Sequence, residues 1–173
     1  MNEAMKNLLE RRSVRGYKKD LVPADVLDEI LEAGKYAPSG MGKQQSKIVV
    51  VENEKEVSLL SKLNAKVMGT DSDPFYGAKT VIVVFSDSES HTCVEDGSLI
   101  MGNLMNAAHS LGICSCWIHR AKEVFEFEEG KKLKQKWGIP ESYVGIGHCI
   151  IGYTDDAIKQ AADRKSDYVV YSE

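Results

Sequence analysis

A chain of 173 residues, 43% of them hydrophobic, is long enough to bury one core of ordinary size and demands no second domain. Its apolar runs, such as those at 81–85 and 149–151, are far too short to cross a bilayer, and residues 1–6 lack the apolar stretch of a secretory signal, so a cytoplasmic protein is expected. The net charge of -4 argues against a general nucleic-acid binder, which would carry a basic balance or stripe.

In chain order, residues 2–12 are expected to form a short helix, with Met5, Leu8 and Leu9 on one face. Pro23 opens a second helix, Val26, Leu27, Ile30 and Leu31 give it a buried stripe, and Gly34 is placed to stop it. A loop over 36–43 leads into a strand at 47–52, whose run Ile48-Val49-Val50-Val51 predicts burial on both faces. A helix from Glu54 to about Met68, a polar loop through Asp73 and Pro74, and a buried strand at 80–85 follow.

The longest helical candidate covers 93–111 and ends at Gly112. Its small residues Gly97, Ser98, Gly102, Ala107 and Ala108 suggest close packing against another backbone, with a partner subunit as one candidate. A strand at 113–118, a charged helix at 121–137 and a fourth strand at 143–152 complete the body. The last twenty residues carry Tyr168-Val169-Val170-Tyr171 and are too apolar at their end for a free tail, so docking is expected. The irregular alternation of strands and helices fits an α+β layered sheet better than regular βαβ winding.

Nucleotide-binding loops are missing, and the one GxG, Gly145-Ile146-Gly147, lies inside an apolar strand. Cys93, Cys114, Cys116 and Cys149 read as reduced thiols rather than a disulfide framework. With His91, His119 and His148 they supply soft ligands, but not at zinc-hairpin spacing, and both thiols of Cys114-Ser115-Cys116 would face one side of the sheet. Buried structural thiols are the favoured reading over a zinc site or a Cys–His nucleophile. Between Lys6 and Lys19 stand six basic residues against the single acid Glu10. Within this cluster Arg11, Arg12, Ser13 and Arg15 place three guanidinium groups and a hydroxyl at a helix end, a combination suited to a phosphate. Arg164 and Lys165 offer a second basic pair, and the bland alternative is a solvated basic helix end.

The ordered series Arg11-Arg12-Ser13-Val14-Arg15-Gly16-Tyr17, Ala37-Pro38-Ser39-Gly40-Met41-Gly42-Lys43-Gln44, Asp73-Pro74-Phe75-Tyr76-Gly77-Ala78, Asp96-Gly97, Leu111-Gly112-Ile113-Cys114-Ser115-Cys116-Trp117-Ile118 and Ile151-Gly152-Tyr153 resembles the nitroreductase family over nearly the whole chain. The resemblance implies one nitroreductase-like FMN-binding domain over 1–173, with a central, mostly antiparallel sheet flanked by helices, and a homodimer with two flavins at the subunit interface. By position, Arg11, Arg12, Ser13, Arg15, Arg164 and Lys165 would hold the phosphate and ribityl end. Pro38, Ser39, Gly40 and Gln44 would reach the flavin of the other subunit. Ile118, His119 and Arg120 would offer backbone groups to the ring edge, and Asn64 a further ring contact. The chain departs from the family pattern at Gly42, Gln44, Gln45 and Ser46, and at Gly152-Tyr153-Thr154 in place of Gly-Tyr-Pro.

The activity implied is transfer of hydride equivalents from NADH or NADPH, through FMN, to an electron-poor acceptor such as a nitroaromatic or quinone, in a ping-pong cycle. Phe75 and Tyr76 are expected to line the cleft. Rival readings keep the scaffold for dehydrogenation, dehalogenation or flavin breakdown, or make the protein a non-catalytic flavin-binding redox sensor using Cys114 and Cys116, or a zinc module.

Overall fold

In the computed structural model, which describes residues 1–172, four strands form one antiparallel sheet in the order β1-β2-β4-β3. The strands are β1 (Ser46–Val51), β2 (Thr80–Asp87), β3 (Cys114–Ile118) and β4 (Tyr143–Gly152). Helices α1 (Glu3–Glu10), α2 (Ala24–Lys35), α3 (Glu54–Met68), α4 (Cys93–Ser110), α5 (Ala121–Val124) and α6 (Glu128–Lys136) surround it. The α+β class and the antiparallel sheet agree with the sequence reading.

Both faces of β2 are covered, which is why its run Val81-Ile82-Val83-Val84-Phe85 is apolar without alternation. On one face Val81, Val83 and Phe85 join Leu60 and Leu63 of α3, Val124 of α5 and Leu133 of α6. On the other, Ile82 and Val84 meet Ile30 of α2 and Met101 and Leu104 of α4. An extra residue at Ile146 bulges β4 between the pairs Val84–Gly147 and Phe85–Gly145. Gly147 is required there: a Cβ would stand 2.5 Å from Trp117 Nε1 and 2.9 Å from Met101 Cε. The Gly-Ile-Gly run is thus a packing feature of the strand.

Several expected boundaries moved. The helix expected over 121–137 is two, because the buried ring of Phe125 enters an aromatic cluster with Phe85 and Trp137 and turns the chain. Gly34 does not stop α2. It lies inside the helix, where a Cβ would come within 2.7 Å of Leu104 Cδ2, and serves the α2–α4 contact. Strand β1 is mostly half-buried rather than buried on both faces, since it forms one edge of the sheet and only Val51 is fully enclosed. The expected docking of the C-terminal residues is not found within the chain: residues 155–172 are exposed and form no helix or strand. Gly112 does close α4, at φ 74°.

Candidate functional site

After α1 the chain leaves the helix at Arg11 and runs beside the outer edge of β3, where Ser13 bridges to Ser115 and Val14 N–H donates to Ser115 O over 3.1 Å. This fixes a run of cationic donors against the sheet. Arg12 Nη1 donates to Leu9 O (2.8 Å) and Arg11 O (2.6 Å), whereas Arg12 Nε and Arg11 Nη1 are buried with no partner among the described residues. Two unpaired guanidinium donors beneath the surface are costly unless an anion completes them. A cavity of about 230 Å³ opens here, lined by Arg12, Ser13, Arg15, Asp156 and Lys159 among others.

Its outer wall is latched by Lys18, which donates through its N–H to Tyr153 O (2.8 Å) and pairs with Asp155 (3.0 Å). Tyr17 anchors the same segment through its hydroxyl to Val14 O (3.0 Å), and burial pushes its pKa well above the ordinary phenol value. Arg164 and Lys165 are not brought to this cavity. They stand exposed in the C-terminal segment, Arg164 bonding Ala162 O, and the basic residue from that segment lining the cavity is Lys159.

A second cluster surrounds the end of β3. Ile118 pairs with His148 of β4, and the chain then turns through His119 and Arg120, the latter at φ 73°. Asn64, fully buried in α3, clamps this turn by donating from Nδ2 to His119 O (2.7 Å) and accepting from Arg120 Nε (3.0 Å). His148 lies beneath, its ring between those of Phe75 and Phe125 at centroid distances of 5.3 and 6.0 Å. Burial lowers its pKa to about 4; the backbone at Ile118 and His119 acts the other way without reaching hydrogen-bond geometry, and the charge of Arg120 adds to the lowering. His148 carried no signal in the sequence beyond one His in an apolar strand.

Phe75, expected to line a cleft, is 1% exposed; its ring packs against His148, and the residue also borders a cavity of about 420 Å³ with Asp73 and Gly77. Tyr76 is 37% exposed, at φ 52°, and its carbonyl accepts from Tyr17 N–H (3.1 Å). The turn is shaped by Asp73, whose carboxylate accepts from Phe75 N–H (2.9 Å) and Gly77 N–H (2.8 Å).

The third cluster is the loop before β1. Gly40 N–H donates to Asp96 Oδ1 (2.9 Å), Thr92 Oγ1 donates to Asp96 Oδ2 (3.0 Å), and Gln44 N–H donates to Ser39 Oγ (3.0 Å). Pro38, Ser39 and Gln44 face a cavity of about 560 Å³ that also meets Asp96, Ile48, Ile100 and Leu31. This loop lies at the β1 edge and Ser13 beyond the β3 edge, with β2, β4 and β3 between. Four strand spacings, roughly 19 Å, separate them, so one chain does not unite the two.

Backbone strain concentrates in these segments. Among the described residues four non-glycine residues, Met41, Gln44, Tyr76 and Arg120, have positive φ, and each sits in a segment named above. The cysteines do not form such a site: Cys116 and Cys149 lie in the cores on opposite faces of the sheet, and burial pushes Cys149 up to about 12. Among the described residues no group of three or more His, Cys, Asp or Glu is placed to hold a metal ion, and no helix is long and apolar enough to cross a membrane.

Residues 8–153 match the profile of the Nitroreductase family. The chain belongs to that family. Over 162 residues it is 30% identical to a protein of Archaeoglobus fulgidus named for NADH dehydrogenase or NAD(P)H nitroreductase activity, covering 90% of this chain and 88% of that one. It is 27% identical to an FMN reductase [NAD(P)H] of Bacillus subtilis, covering 86% of this chain and 66% of that protein. A crystal structure of a nitroreductase with bound FMN from Bacteroides fragilis superimposes with a TM-score of 0.91 at 28% identity, covering 100% of both chains. Membership makes the chain a flavin-type oxidoreductase by family.

Proposed function

We propose that the chain is an FMN-dependent oxidoreductase that takes hydride equivalents from NADH or NADPH and passes them to an electron-poor acceptor, a nitroaromatic or a quinone, with donor and acceptor using the same cleft in turn. The observation that carries this reading is the pair of buried, unpartnered donors, Arg11 Nη1 and Arg12 Nε, beside Ser13 and Arg15. They suit a dianionic monophosphate, which paired guanidinium groups bind by charge-assisted hydrogen bonds. From Ser115, which bridges Ser13, to Ile118 the strand advances roughly 10 Å, a length suited to a ligand with phosphate at one end and a flat ring at the other. Bound FMN would supply the hydride chemistry; the chain's residues would anchor the phosphate, present the turn 118–120 to the ring, and leave one face open.

The working unit is a homodimer of single-domain chains in the cytoplasm. Helix α1 leaves Met5, Leu8 and Leu9 about half exposed and buries no residue, and Tyr168, Val169, Val170 and Tyr171 are 62–87% exposed, more apolar surface than an isolated chain keeps without use. A second copy would also bring a Pro38–Ser39–Gly40–Gln44 loop towards the distant Arg11–Arg15 run, and Arg164 and Lys165 into reach of a phosphate.

The deciding experiment is a visible absorption spectrum of the purified protein, reconstituted with FMN if necessary, before and after anaerobic addition of NADH or NADPH. Flavin bands that bleach with a nicotinamide support the reading. A chain that takes up no FMN overturns it.

A further inference from the structure

The left-handed backbone region is strained for any residue with a side chain and free for glycine, yet the turn after β3 places an arginine there, Arg120 at φ 73° and ψ 16°. Glycine would close the turn at no such cost, so the side chain needs a reason. Its surroundings supply one. Asn64 is wholly buried and commits both ends of its amide to this turn, Nδ2 to His119 O and Oδ1 to Arg120 Nε. The two terminal nitrogens of the guanidinium make no hydrogen bond, and among the described residues no carboxylate pairs with Arg120. The adjacent His148 is wholly buried between aromatic rings and stays neutral at physiological pH. A half-buried cation is therefore held by a strained backbone and by an amide bonded at both ends, with no carboxylate paired to it among the described residues. Such a group is costly unless an anion completes the site.

We propose that Arg120, aimed by Asn64, supplies the positive charge that favours the reduced, negatively charged state of the bound flavin. The inference rests on the flavin reading above. It changes the part assigned to Asn64 from ring contact to positioning residue, because both ends of its amide already hold the 119–120 turn. A guanidinium facing a ring that gains negative charge on reduction binds the reduced state more tightly than the oxidised one and raises the reduction potential.

The test is the midpoint potential of FMN bound to the full chain, with the affinity for oxidised FMN and the Tm, in the wild type, Arg120→Gln, Arg120→Lys and Asn64→Leu. Arg120→Gln is expected to lose about tenfold in its preference for reduced over oxidised FMN, a fall of about 30 mV for a two-electron couple. Arg120→Lys should recover part of that loss, and Asn64→Leu should shift the potential in the same direction by a smaller amount. A potential for Arg120→Gln equal to that of the wild type overturns the assignment, as does a change confined to the KM of carboxylated acceptors, which would make the substrate the anion. Asn64→Leu lowering Tm with an unmoved potential removes its positioning role. Wild-type protein that takes up no FMN brings down the flavin reading itself, so the two failures are distinguishable.

Discussion

Gly40 and Asp96 are joined across 2.9 Å, the glycine N–H donating to a carboxylate that is only 4% exposed and that also accepts from Thr92. This one side chain ties the loop before β1 to the first turn of α4. A Cβ on residue 40 would stand 2.3 Å from Thr92 Oγ1, so the approach needs glycine. Asp96→Ala is expected to leave the Gly40 N–H and the Thr92 hydroxyl without their acceptor and to cost about 1–3 kcal/mol in urea unfolding. Asp96→Asn, which keeps one acceptor oxygen, should cost less; equal losses for the two variants would mean that the bonds do not hold the loop.

Arg15 lines the cavity beside Ser13. Arg15→Ala should weaken FMN binding by roughly 1–3 kcal/mol, the range for a hydrogen bond to a charged group, read by fluorescence titration of apoprotein. Unchanged affinity would place the phosphate elsewhere.

Gly147→Ala would push a methyl group to 2.5 Å from Trp117 Nε1 in the middle of β4. Such overpacking typically costs about 1–3 kcal/mol, and guanidinium unfolding should show it without loss of cooperativity.

His148 gives stability a pH dependence whose sign follows from its lowered pKa of about 4. The unfolded state, near the ordinary value of about 6.5, binds the proton that the fold rejects, so stability is complete above that pH and falls as pH drops towards about 4. The full loss attributable to this ring is roughly 3 kcal/mol. Because carboxylates titrate below the same range, the measurement is a difference: His148→Gln should show a shallower fall than the wild type between about pH 6.5 and 4.5. Parallel curves would argue against a neutral, rejecting His148.

If the exposed apolar tail clasps a second copy, deletion of residues 157–173 should raise the monomer fraction at micromolar concentration, seen by light scattering after gel filtration. A truncated chain that remains a full dimer would move the interface to α1 and α4.

The α+β class, the strand at 143–152, helix α3 and the end of α4 were legible because they rest on local signals: an apolar run between turn residues, helical spacing, a glycine after the last helical residue. The Arg11–Arg15 segment was legible through its charge. Where reading from sequence missed, the missing information was spatial. Gly34 looked like a stop because nothing local tells a terminating glycine from one pressed against Leu104. The contact of Phe75 with His148 was invisible because its ring partner lies 73 positions away in β4.

The sequence by itself therefore determined the family, the order of elements and the residue types able to meet a phosphate and a flat ring, since these are carried by composition, periodicity and short motifs. Only the tertiary structure decided which of those residues meet. It buried two arginine donors without partners, turned Asn64 inward onto the strained Arg120, and held the Ser39 loop at the sheet edge opposite Ser13. Burial and long-range contact are properties of the packed sheet, and no window of neighbouring residues contains them.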